Sequence, residues 1–200
     1  MSKGLITTLV IVGVILIFVF WIFGSYNGLV DKEEAVNSQW ANVETQYQRR
    51  SDLIPNLVNT VKAYADFEQE TLTKVIEARS NATAVKVDPT NLTPDKIQQF
   101  QQAQEGLSSA LSRLLVVVEK YPDLKANENF RDLQAQLEGT ENRIAVARQR
   151  FNEGVNVYNS SIRRFPGNVV AGITGFERKG YFEAAPDAEK APNVGDILNK

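Results

Sequence analysis

The sequence predicts an all-α protein: an N-terminal transmembrane helix followed by an antiparallel bundle of long helices. Three observations predict it. Residues 5–23, LITTLVIVGVILIFVFWIF, contain no charge. Three long segments repeat apolar side chains at steps of three and four, which keeps them on one helical face. No segment alternates with period two for long, so β-structure is expected to be minor.

A helix rises about 1.5 Å per residue, so about 20 apolar residues cross a hydrocarbon core of about 30 Å. Residues 5–23 meet that length, and Trp21, Phe23 and Tyr26 cluster at the far end, with Trp21 and Tyr26 the expected membrane-interface residues. The run is long for a cleaved signal peptide, and FGSYNG offers no A-x-A-like cleavage site, so an uncleaved anchor is expected. Lys3 before the span and Lys32 after it nearly balance the positive-inside count. The reading leans to an internal N-terminus with the bundle outside.

The first amphipathic segment carries Val36, Trp40, Val43, Tyr47, Ile54, Leu57, Val61 and Tyr64, with Leu72, Val75 and Ile76 further on. Arg50 takes a seam position between Tyr47 and Ile54. The segment is read as one helix continuing from the span. Within it RRSDLIPNLV, residues 49–58, holds Pro55, whose missing N–H leaves the Ser51 carbonyl without its helical partner. Two readings fit: a break near Ser51 or Asp52, or a continuous helix kinked at Pro55. The unbroken apolar register favours the kink.

The second segment starts at Thr93-Pro94, an N-cap followed by proline at the first helical position. Its seam is Ile97, Phe100, Leu107, Leu111, Leu114, Val118 and Tyr121, and Pro122 ends it. The third starts at the N-cap Asn127 and carries Phe130, Leu133, Leu137, Ile144, Ala147, Phe151, Val155, Tyr158 and Ile162 up to Phe165-Pro166. NATAVKVDPTNLTPD is read as the first linker and residues 121–126 as the second, which makes neighbours antiparallel in an up-down-up bundle. Beyond Pro166, GNVVAGITGFERKGYFEA has four glycines in 18 residues. It is read as a short helix and a turn packing back on the bundle, and the Pro-containing tail from Ala184 as largely disordered. The expected organisation is an anchor over residues 1–26, a bundle over 27–183 and a flexible tail over 184–200.

The charge balance is 22 basic against 24 acidic residues, net −2, with no cysteine and no histidine. Disulfides, a thiol nucleophile and the usual zinc sites are therefore excluded. The near-neutral charge shows no footprint for nucleic acid. Glu33 and Glu34 are the nearest approach to paired catalytic carboxylates, and a solvated helix face is the simpler reading. EKYPDLKANENFRD lacks the ligand spacing of a calcium loop and reads as a polar interhelical turn. Arg49-Arg50-Ser51 matches a basophilic phosphorylation pattern of the kind that recurs by chance. The seam aromatics suit a bundle core better than a cofactor box. No cofactor, metal site or catalytic residue is expected.

Residues 26–72, from YNGLVDKEEAV through RRSDLIPNLV, and residues 121–166, from YPDLKANENF to SSIRRFP, with GNVVAGITGF after them, resemble the LemA family of bacterial single-pass membrane proteins. The resemblance implies a helical bundle on an N-terminal anchor and no catalytic residues. It also implies a short external N-terminus, opposite in sense to the charge count. Together these readings lead to the expectation of a bundle at the bacterial inner membrane, on the periplasmic side by the charge count. Its expected role is non-enzymatic: self-assembly as a homo-oligomer or scaffolding of other envelope proteins. The alternative is a sensor or signalling adaptor that binds a partner protein or peptide. Arg49, Arg50, Asp52 and Pro55 are the candidate interaction residues, beside a bend between stalk and bundle. The expected partners are the lipid bilayer, further copies of the chain and other envelope proteins, with no nucleic acid.

Overall fold

A computed structural model describes residues 3–63 and 68–183. Among the described residues there are six helices, α1 (Lys3–Lys62), α2 (Gln69–Ala84), α3 (Pro94–Val118), α4 (Pro122–Ala126), α5 (Glu128–Arg163) and α6 (Gly167–Thr174). Among the described residues there is no strand. The all-α expectation therefore stands.

α1 is a single helix of 60 residues, about 90 Å long. Its N-terminal part is long and apolar enough to cross a membrane, and none of its most apolar 18-residue window is buried. The side chains of Leu5 and Ile6 and the large apolar ones from Leu9 to Phe20 turn outward instead of into a protein core. The chain reads as a single-pass membrane protein on this helix. From Leu29 onward the same helix becomes the first member of the bundle, burying Val36, Trp40, Val43, Tyr47, Ile54, Leu57 and Val61.

The first amphipathic segment is two helices, not one. α1 ends at Lys62 and α2 begins at Gln69, returning alongside α3. Leu72 and Val75 are buried by this reversal, whereas Ile76 is exposed. Tyr64 falls on residues 64–67, outside those described. The bundle is accordingly up-down-up-down, with α1, α2, α3 and α5 as its four long members. The pairings show the directions. Ser51 meets Arg79 and Gln104 meets Ala82, while Arg50 reaches Glu141.

The two linkers also carry more helix than expected. Asn81 to Ala84 of the first belong to α2, and Val87 and Leu92 of the loop that follows are buried. The second contains α4, whose Leu124 plugs the far end of the bundle. Thr93 stands at the predicted N-cap of α3 without a side-chain cap bond, with Pro94 leading the helix. Asn127 caps α5 as expected, its Oδ1 accepting from the Phe130 N–H at 3.0 Å.

The core has two parts. The membrane-proximal part is aromatic: Trp40 lies 5.1 Å from Phe100, 5.5 Å from Phe151 and 6.0 Å from Phe182 between ring centres. Offset and edge-on contacts of this kind suit the ring quadrupoles. The distal part is aliphatic, built on Ile54, Leu57, Leu107, Leu114 and Leu124 with Phe130.

α6 and the segment after it pack back on the bundle. Residues 177–183 form no regular element and are held by side-chain amides. Asn159 Nδ2 donates to the Lys179 carbonyl at 2.9 Å, and its Oδ1 accepts the Lys179 N–H at 3.0 Å. Asn152 makes the same pair with Phe182, and Gln101 with Glu183. Each amide reproduces the donor–acceptor pair that a neighbouring strand would offer. The reading of a disordered tail falls on residues 184–200, outside those described.

Candidate interaction site around Arg50 and Pro55

The heptad seam of α1 places one residue of every third or fourth in the core, and Arg50 holds such a place. Only 1% of it is exposed. It lies where the aromatic and aliphatic parts of the core meet, between Tyr47 and Ile54. A buried guanidinium is costly unless most of its donors are satisfied; both Arg50 Nη atoms are bonded, while the buried Nε has no hydrogen-bond partner among the described residues. Nη1 donates to Ser108 Oγ at 2.7 Å and to Glu141 Oε1 at 2.6 Å. Nη2 donates to Gln104 Oε1 at 2.7 Å and to the Gln104 carbonyl at 3.2 Å. The guanidinium also stands 5.0 Å from the centre of the Tyr47 ring.

Gln104 extends this layer to the fourth long helix, its Nε2 donating to the Ala82 carbonyl at 3.2 Å. One arginine on α1 thus ties α3 and α5 directly and α2 through Gln104. Thr140, fully buried on α5, and Ser51 complete the polar layer. The planar fork of arginine suits such a node, since its five donors point in fixed directions. Burial pushes the Tyr47 phenol above its ordinary pKa, with the charges of Arg148 and Arg50 opposing the rise.

Pro55 lies within α1, which runs through it without a break. The carbonyl that Pro55 leaves unbonded, that of Ser51, accepts from Arg79 Nε of α2 at 2.9 Å. The donor is Arg79, which sequence spacing could not single out. Ser51 itself is buried, so the Arg49-Arg50-Ser51 pattern does not present an open hydroxyl.

The four candidate residues therefore divide. Arg50 is buried and bonded inside its own chain. Arg49, Asp52 and Pro55 lie on the exposed side of α1, with Asp52 Oδ1 accepting from Gln48 Nε2 at 2.7 Å. Arg49, Asp52 and Asn56 border an open groove of about 1100 Å³, whose walls also include Lys86, Gln104 and Gln136. Glu44 lines it too, and burial raises its carboxyl above the ordinary value.

The acidic pair near the membrane resolves differently from its sequence reading. Glu34 is exposed, but Glu33 pairs at 2.6 Å with Lys179, which is only 7% exposed. Glu33 thus holds the amide-held segment to α1 instead of lying on a solvated face. The Tyr158 hydroxyl nearby donates to the Glu177 carbonyl at 2.9 Å, and burial, with the Glu33 and Glu177 charges, pushes that phenol up. Among the described residues there is no group of three or more carboxylates placed to hold a metal ion. The two interface aromatics lie where α6 meets α1: Trp21 is 5.2 Å from the Phe165 ring and Tyr26 is 5.7 Å from the Phe176 ring.

The chain is similar in sequence to several named proteins. Magnetosome protein MamQ 2 of Paramagnetospirillum magneticum is 27% identical over 205 residues, covering 93% of this chain and 75% of the relative. Magnetosome protein MamQ of Magnetospirillum gryphiswaldense is 26% identical over the same length and coverage. Protein LemA of Metamycoplasma hominis is 25% identical over 183 residues, covering 92% of this chain and 80% of the relative. The LemA family model matches residues 39–195, which take in the Arg50 layer, Pro55, all of α2 to α6 and the amide-held segment, and the chain belongs to the LemA family.

Proposed function

We propose that this protein is a non-enzymatic scaffold of the bacterial envelope, anchored in the inner membrane, that assembles with copies of itself or gathers other envelope proteins. The observation that carries the reading is the continuity of α1: one helix of 60 residues is both the apolar span and the first helix of the bundle. Its packing along α5 makes the bundle a stiff post, with no flexible joint between membrane and body. Posts confined to a membrane plane meet at high effective concentration, so weak lateral contacts suffice for assembly. The exposed face of Arg49, Asp52 and Pro55 is the proposed contact. The proposed divisions are an anchor over residues 1–26, the bundle over 27–183 and a tail over 184–200, with the bundle on the periplasmic side.

The test is the size and shape of the full-length protein in mild detergent, imaged by electron microscopy. Regular assemblies are expected, and Pro55→Ala should reduce their size while helix content holds or rises. Monomers at every concentration would overturn the scaffold reading. The groove beside Arg49 and Asp52 favours a second reading, an adaptor that seats a partner peptide there. An adaptor stays monomeric alone and enlarges only with its partner. The proposed side of the membrane is checked with one introduced cysteine in the bundle, the sole thiol in the chain. It should react with a membrane-impermeant maleimide from the periplasmic side.

A further inference from the structure

α6 lies at the membrane end of the bundle. Phe165, which precedes it, touches Trp21 at the end of the span, and Phe176, which follows it, touches Tyr26. Gly167 fits so closely that a Cβ there would come within 2.2 Å of the Ser161 carbonyl oxygen and 3.7 Å of Leu29. The helix is therefore fixed in height against α1 and α5, level with the aromatic belt.

Its two sides differ. Val170 and Ala171 are buried against the bundle. Val169 and Ile173, one turn apart, face outward with Phe165. Ile173 is 77% exposed and Phe165 72%, values matched by Phe20 of the span at 75%. Residues 165–176, FPGNVVAGITGF, contain no charge, yet exposed Arg163 and Arg164 stand immediately before them and Arg178 soon after. Other exposed large apolar side chains of the bundle, such as Ile76, Val116 and Val146, stand singly on different helices. Single exposed apolar residues are ordinary, whereas a charge-free patch continuous with a span is not.

We infer that Phe165, Val169 and Ile173 form a second membrane contact, an interfacial foot that seats in the headgroup and upper acyl region beside the span. Its partner is the lipid bilayer. Three features carry this: continuity with the apolar surface of α1, contact with the interfacial Trp21, and basic residues at the patch edge that suit lipid phosphates. A single span leaves the bundle free to tilt and rotate about its axis. A foot fixes both, and so sets which face of the bundle looks along the membrane and which looks away. The inference rests on the span and holds whether or not the protein assembles.

The chain has no cysteine, so single-cysteine variants report cleanly. Full-length Val169→Cys and Ile173→Cys proteins carry an environment-sensitive fluorophore. They are reconstituted in phosphatidylcholine–phosphatidylglycerol vesicles with brominated acyl chains. Val146→Cys, exposed far up α5, is the aqueous control, and Phe20→Cys reports on the span. Brominated lipid should quench the Val169 and Ile173 probes several-fold more than the Val146 probe, and iodide should quench them less. Probes at 169 and 173 that behave like the Val146 probe would overturn the foot. So would probes shielded from both quenchers, since protein would then cover the patch. Failure of the Phe20 probe to meet lipid would instead overturn the span reading.

Discussion

Pro55 takes away the N–H that would bond the Ser51 carbonyl inside α1, and Arg79 supplies a donor from α2 in its place. An unmet buried carbonyl costs about 1–3 kcal/mol. The pair therefore predicts a coupling. Arg79→Ala should cost about 1–2 kcal/mol in denaturant unfolding of the detergent-solubilised protein. In a Pro55→Ala background the restored N–H takes over the carbonyl, and the same change should cost little. Equal losses in both backgrounds would show that Arg79 holds α2 by other contacts. Arg50 predicts a larger effect. Arg50→Ala leaves Gln104 Oε1 without its donor and opens a cavity at the junction of the two core parts, a loss of about 2–4 kcal/mol by the same measurement. Arg50→Lys should recover only part of it, because one ammonium does not reproduce the fork. Glu44 adds a pH dependence. Its folded pKa lies above the ordinary 4.5, so the folded state holds the proton more tightly than the unfolded chain. That stabilisation is present below the ordinary value and is lost as pH rises through the raised one. Glu44→Gln should thus match the parent in melting temperature below about pH 4 and exceed it at pH 7.

At the scale of elements, the legible parts were those with local causes. α3 and α5 begin at Pro94 and Glu128, as Thr93-Pro94 and Asn127 predict, and their seams are buried almost residue for residue. Arg50 was visible as a polar residue on an apolar seam and Pro55 as a proline inside a helical register, and both pointed into the site. The α1–α2 reversal was not legible, because residues 62–69 contain neither glycine nor proline and the apolar spacing runs on past them. The amide-held segment was legible only as chain that packs back. Its partners Gln101, Asn152 and Asn159 are scattered over α3 and α5, and nothing in their spacing links them to residues 179–183. Phe182, buried beside Trp40, closes the aromatic core from this segment. Phe182→Ala should cost about 3–5 kcal/mol. Asn159→Ala should raise hydrogen exchange at Lys179 and its neighbours while the amides of α5 keep their protection. Unchanged exchange there would mean that Asn152, Gln101, the Glu33–Lys179 pair and Phe182 secure the segment without Asn159.

Over the whole molecule, α1 connects membrane and bundle, and everything else is arranged along it. The polar layer lies midway up the bundle and α4 closes the far end. α6 sits at the membrane end, where Phe165 and Phe176 meet the belt residues Trp21 and Tyr26. The sequence by itself determined the span, the helical character of the body and which face of each long helix turns inward, because length, apolarity and the 3.6-residue period are properties of a stretch of chain. Only the tertiary structure decided where the chain reverses, that Arg50 ties together three helices and reaches the fourth through Gln104, and that Arg79 serves the carbonyl Pro55 leaves open. Those outcomes depend on which residues distant in sequence come within hydrogen-bonding reach, and no local spacing encodes that.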